Sequence, residues 1–111
     1  MHKMNVRQPY FNMMKAGTKL IELRLYDEKR QKIKIGDKIE FSCLEDVEDK
    51  IEVEVIGVHR ATDFKELCSK IDIKKAGFSG TPEEVQHIME EFYPTTEQQK
   101  YGVLGIEIKR I

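Results

Sequence analysis

The chain has 111 residues, 40% hydrophobic and 35% charged, which suits one domain with a real core and argues against disorder. Net charge is −1, so any attraction for anions has to be local rather than a property of the whole chain. No apolar run approaches the ~20 residues a membrane span requires, and Met1-His2-Lys3-Met4-Asn5 lacks the apolar core of a signal peptide, so the expected location is the cytoplasm, away from membranes.

Met4 and Val6 close a short first strand. Pro9 suits a first helical turn and Gly17 a C-terminal cap, which predicts a helix over 9–16. Tyr10, Met13 and Met14 recur at i, i+3 and i+4 beside Phe11, and are expected in the core. A strand over 19–25 follows. Strand side chains alternate, so Ile21, Leu23 and Leu25 share one face while Glu22 and Arg24 share the other, roughly 7 Å apart. Those two charges can bracket a polar ligand, or pair with each other on a solvated face. Lys19 has the parity of Ile21, so it joins them only if it precedes the strand proper or a bulge re-aims it.

The segment 26–32 is polar and reads as a surface loop with room for one helical turn. Gly36-Asp37 marks a tight turn into a strand over 38–44, and 45–49 is expected to be an acidic hairpin connection. The strand from Lys50 to Arg60 alternates strongly, with Ile51, Val53 and Val55 on one face and Glu52 and Glu54 on the other, and Gly57 predicts a bulge or bend. Asp63 caps a helix through about residue 69, and 71–80 reads as an irregular link. Thr81-Pro82-Glu83-Glu84 is a strong helix start. Val85, Ile88, Met89 and Phe92 then form one apolar stripe ending before Pro94, with His87 off it. A closing strand over 101–108 turns Leu104, Ile106 and Ile108 inward and can return to the first strand. Strands of this number with a glycine bend predict an α+β fold built on a small mixed β-barrel with helices between strands; an open α+β sheet is the alternative.

Cys43 and Cys68 lack a paired spacing and His2, His59 and His87 are scattered, so neither disulfide nor metal site is expected, and no cofactor. Charge is unevenly distributed. Residues 1–44 hold ten Lys/Arg against five Asp/Glu and the remainder nine against fifteen, which places Lys19, Glu22 and Arg24 in the basic part. A lysine beside a carboxylate can act as a base if burial lowers its pKa, and an arginine offers a planar fork for phosphate or a base edge. Tyr93 or Tyr101, if near those charges, would give a stacking platform for a base.

Four stretches in this order carry a family resemblance: Phe11 through Gly17-x-Lys19-x-x-Glu22-x-Arg24, Ile35-Gly36-Asp37-x-Ile39-x-Phe41, Phe92-Tyr93-Pro94, and Tyr101-Gly102-Val103-Leu104. Together they resemble ASCH domain proteins, a branch of the PUA-like β-barrels, over the whole chain, 1–111, as a stand-alone domain. The resemblance implies a cleft beside the signature and binding of RNA or a modified nucleoside or nucleotide; by the chemistry of the residues themselves, Lys19, Glu22, Arg24, Tyr93 and Tyr101 are the ligand-binding candidates. Some small relatives are amidohydrolases that deacylate N4-acetylcytidine with a Lys, Thr and Glu trio. Lys19 matches the lysine and would be catalytic with Glu22 in that alternative. Glu22, however, stands where the threonine belongs, and no residue of 72–84 is assigned to the glutamate. Recognition is therefore the expected role.

Overall fold

The computed structural model describes residues 1–111. Five strands and four helices follow one another as β1 (His2–Val6), α1 (Gln8–Ala16), β2 (Ile21–Leu25), β3 (Lys38–Cys43), β4 (Asp46–Ala61), α2 (Phe64–Lys70), α3 (Pro82–Glu90), α4 (Thr95–Tyr101) and β5 (Val103–Arg110). The strands form one mixed sheet in the order β1-β3-β4-β5-β2. β1 runs parallel to β3 and every other pair is antiparallel. The fold is an α+β half-barrel, with β1 and β2 at its two edges. The C-terminal strand does not return to the first: β5 lies between β4 and β2, and β1 pairs with β3 alone.

Local signals account for most of the elements. Gly17 leaves α1 in the left-handed region at φ 82°, its amide bonding back to Met13 and Met14 carbonyls, a conformation that costs glycine nothing. Asp63 accepts from the Glu66 amide at the start of α2. Thr81 and Glu84 form a reciprocal capping box at the start of α3, satisfying donors the first turn would otherwise leave bare. β4 and β5 lose register between Val55 and Gly57, so the expected bend occurs, and it lets a 16-residue strand curl with the sheet.

Other expectations are corrected. The acidic run 45–49 is not a loop: the turn is confined to Leu44 and Glu45, and β4 begins at Asp46. Residues 71–80 are not irregular throughout, because Ile73–Ala76 close a 3-10 turn. α4 was not anticipated. Its sequence carries no apolar stripe, and its buried residue is Gln98, which donates to the Tyr93 carbonyl and accepts from Gln86.

The sheet buries both faces. One core packs α1 through Phe11 and Met14 against β1, β3, β4 and the inward side of β5, including Leu104, Ile106 and Ile108. The other packs α2 and α3 through Phe64, Leu67, Val85 and Met89 against Ile21, Leu23, Leu25 and Val103. β5 therefore contributes to both cores, which is why it reads as a nearly continuous apolar run. Tyr10 and Met13 are only half-buried, and Ile88 and Phe92 are exposed at 38% and 43%. These helical stripes are narrower than their spacing suggested, and two of the surplus residues, Tyr10 and Phe92, line a surface cleft.

Candidate functional site: a buried ion triad at the open seam

Antiparallel pairing sets Glu22 opposite Ile106 and Arg24 opposite Leu104. Opposed residues share a face, so these two charges point to the inner side of the half-barrel, where Leu104 and Ile106 are buried. A solvated strand face is excluded: Glu22 is 7% exposed and the Arg24 side chain 13%. Lys19, at 2%, is the least exposed of the three.

Lys19 escapes the parity problem because it precedes β2. After Gly17 the amides of Thr18 and Lys19 still bond to the Met13 carbonyl. Lys19 thus sits in a connection whose side chain does not follow the strand's alternation. Its ammonium donates to the carbonyls of Ile21 at 2.8 Å and Ala76 at 2.6 Å and lies 3.2 Å from Glu22 Oε1. Glu22 Oε2 accepts from Arg24 Nε at 2.8 Å and lies 2.8 Å from Arg24 Nη2, which also donates to the Asn5 carbonyl at 2.6 Å. Asn5 is on β1 and Arg24 on β2. The two sheet edges share no backbone ladder, so this guanidinium stitches the seam of the half-barrel.

The triad's electrostatics follow from burial against attraction. Desolvation is the largest influence on Glu22 and would raise its pKa, yet Lys19 and Arg24 together outweigh it and hold the carboxyl below its usual range. Desolvation likewise opposes the charge on Arg24, but Glu22, with the Tyr93 hydroxyl adding to it, leaves the guanidinium pKa raised. For Lys19 burial pulls the ammonium below the ordinary lysine range, against Glu22 and with repulsion from Arg24. Three acceptors around its nitrogen favour the protonated form.

The triad opens on a cleft of about 310 Å³ between β1, α1, β2 and the end of α3. Tyr10, Phe78, Phe92 and Tyr93 wall it, with Asn5, Arg7 and Leu44 at the edge. Tyr10 and Phe78 meet at 5.6 Å between ring centroids, Lys19 Nζ lies 5.5 Å from the Tyr10 ring and the Arg7 guanidinium 4.8 Å from that of Phe92. The structure thus brings Lys19, Glu22, Arg24 and Tyr93 together. Tyr101 is not with them: it lines a separate polar hollow with Arg60, Asp63 and Gln98. The sequence reading missed Asn5, Arg7, Tyr10 and Phe78 as cleft residues, and it took Phe92 for core. The one available signal was a helix stripe wider than a nine-residue helix can bury.

Both cysteines are free and buried. No group of three or more His, Cys, Asp or Glu side chains is placed to hold a metal ion, and no helix is long and apolar enough to cross a membrane.

A search of the curated proteins found no match. Among solved structures, the crystal structure of hypothetical protein PH0355 is 38% identical, with 98% of this chain and 97% of that one covered and a TM-score of 0.85. The solution structure of protein PF0455 from Pyrococcus furiosus is 31% identical over 99% and 96% of the two chains, with a TM-score of 0.76. ASCH from Zymomonas mobilis shares the fold at 14% identity, with 96% of this chain and 65% of that one covered and a TM-score of 0.66. The family model described as the ASCH domain matches residues 4–111, and with an arginine-stitched half-barrel and two relatives above 30% identity beside it, this chain belongs to the ASCH domain family.

Proposed function

We propose that the protein is a recognition module that takes one base of RNA, or a modified nucleoside or nucleotide, into the cleft at the seam. The observation that carries this reading is the buried Lys19–Glu22–Arg24 triad at the floor of a cleft walled by four aromatic rings. At about 310 Å³ the cleft is at the small end of ligand sites, a volume for a base and sugar rather than a duplex. Arg7, Lys19 and Arg24 against Glu22 give it positive charge for a phosphate. An ionised carboxylate offers about four lone-pair sites. Lys19 occupies one on Oε1 and Arg24 two on Oε2, so Oε1 retains one for a donor such as an exocyclic amine. Phe92, exposed and under Arg7, supplies a face on which a base stacks.

Support for recognition over turnover comes from Lys19. A general base needs a free lone pair, and this nitrogen is surrounded by two carbonyls and a carboxylate that each want its protons. Calorimetric titration with nucleosides, mononucleotides and a short single-stranded RNA tests the reading. Wild type should bind, and Phe92→Ala should weaken binding about fivefold or more, since a stacked base is worth ~1–3 kcal/mol. Unchanged affinity in folded Phe92→Ala and Arg24→Ala proteins would remove the cleft from the interaction. Incubation with N4-acetylcytidine decides the alternative: cytidine above the blank would make the protein an amidohydrolase.

A further inference from the structure

A second hollow lies at the far end of β1, lined by His2, Lys32, Lys34, Gly36, Asp37 and Lys38 among others. Its one acid is already engaged: Asp37 Oδ2 is 2.9 Å from His2 Nε2 and accepts from the Lys34 amide at 3.0 Å. Lys32, Lys34 and Lys38 make no ion pair with any carboxylate of the chain, in contrast to Lys15, Lys65 and Lys70. β1 joins this hollow to the cleft. Its outward residues Lys3 and Asn5, followed by Arg7, are all exposed, while Met4 and Val6 between them are buried. Asn5 and Arg7 belong to the cleft. From His2 to Arg7 is about 16 Å at the usual rise per residue. On the side away from the edge, Glu40 on β3 neighbours Lys3 and Glu54 on β4 neighbours Lys38, so acidic residues bound the cationic strip on that side.

We propose that this edge is a phosphate track: a single-stranded nucleic acid with one base in the cleft lays its backbone along Arg7 and Lys3 and seats phosphates among Lys32, Lys34 and Lys38. This rests on the proposed base-binding role of the cleft and extends it to a footprint of about four nucleotides or more, the lower end of single-strand sites. It commits to an oligonucleotide over a free nucleotide as the natural ligand. It assigns a role to the basic excess of the first 44 residues that the cleft does not use.

The test measures fluorescence anisotropy of labelled oligoribonucleotides of graded length, with a mononucleotide competitor, across a salt series. The proteins are wild type, the triple variant Lys32→Gln/Lys34→Gln/Lys38→Gln, Lys70→Gln on α2 as a charge control, and Phe92→Ala. Wild-type affinity should rise with length up to the footprint and then level. In the triple variant the log–log salt slope should shrink by about 2, since each phosphate contact on a single strand contributes about 0.7. Between about 50 and about 200 mM salt that amounts to a ~20-fold smaller loss of affinity than wild type suffers. Mononucleotide binding and the Lys70→Gln protein should be unaffected. Equal salt slopes in wild type and triple variant, or no gain with length, would overturn the track while leaving the cleft reading intact. A triple-variant effect with Phe92→Ala neutral would overturn the cleft reading and the register proposed from it, leaving a basic surface only. No binding by wild type to any length would overturn both.

Discussion

Replacing Glu22 by glutamine keeps the volume and removes the charge that holds Lys19 and Arg24 together. The new amide offers one acceptor and two donors. If its oxygen stays with Arg24, its NH2 group faces the Lys19 ammonium, which is 2% exposed and retains only the Ile21 and Ala76 carbonyls. Turning it round hands the same conflict to Arg24. Removing one partner from a buried ion pair costs about 3–5 kcal/mol, because an uncompensated charge is left inside. For a domain of this length about 4 °C per kcal/mol is reasonable, so Tm should fall by ~12–20 °C. Circular-dichroism melting and urea titration measure it. Lys19→Met in the same background should recover part of the loss, and the two changes should deviate from additivity by at least about 1 kcal/mol. The gap between wild type and Glu22→Gln should also depend on pH. Glu22's folded pKa is depressed below its ordinary 4.5, so its contribution is full above that value and is lost as pH falls through the folded pKa. The gap should therefore be constant from neutrality down to mild acid and narrow below it. A Glu22→Gln protein within about 1 kcal/mol of wild type at pH 7 would refute the argument, placing the triad with solvent-screened surface pairs.

Arg24→Lys keeps the charge but cannot pair with Glu22 and reach the Asn5 carbonyl through one planar fork; it should cost about 1–3 kcal/mol and speed amide hydrogen exchange along β1. Gly77→Ala should destabilise by ~1–3 kcal/mol, since its φ is +87° and a Cβ there would come within 3.2 Å of Met13 Sδ and 3.3 Å of Lys19 Cδ; denaturant titration checks it, with loss of ligand affinity as the companion readout. Burial pushes the Cys68 thiol up to about 11, so it should resist alkylation at pH 8 in native protein and react on addition of denaturant, as followed by mass spectrometry. Phe92→Ala should leave Tm within a few degrees of wild type, because the ring is 43% exposed, even as base binding weakens.

How much could be read beforehand follows from how local each signal is. Thr81 with Glu84, Asp63 with Glu66 and Gly17 after α1 are complete instructions within a few residues, and each cap forms. Gly57 announces a bulge because a side chain there would meet the Glu107 Cβ at 3.2 Å. α4 carried no such instruction, since its place depends on Gln98 reaching the Tyr93 carbonyl and Gln86. The stripe from Val85 to Phe92 was legible as apolar, but periodicity is silent on whether the last ring enters the core or walls a cleft. Tyr101 and Tyr93 looked equivalent in sequence, and α4 carries one to the Arg60 hollow while the other stays beside Arg24. The pairing of Glu22 with Arg24 was one of two open readings, and only the register against β5 turns both inward.

A half-barrel whose edge strands share no ladder has to be held at the seam by side chains, and three charged groups are an expensive way to do it. Apolar residues of similar volume commonly replace a buried triad at no loss, or with a gain, of stability. Stability alone therefore gives no reason for the arrangement. Its distinguishing property is that the charges line an opening: Lys19 ties β2 to the turn that ends at Ala76, Arg24 ties β2 to β1, and Glu22 pairs with both. A ligand donor arriving there meets a carboxylate already desolvated and fixed by two cations, so little reorganisation remains to oppose binding. On the proposed function the seam and the binding site are one construction, and a change that loosens the first should weaken the second in proportion. Arg24→Lys, measured for both hydrogen exchange and nucleotide affinity, tests that coupling directly, and a protein with a loosened β1 edge and undiminished affinity would separate the two.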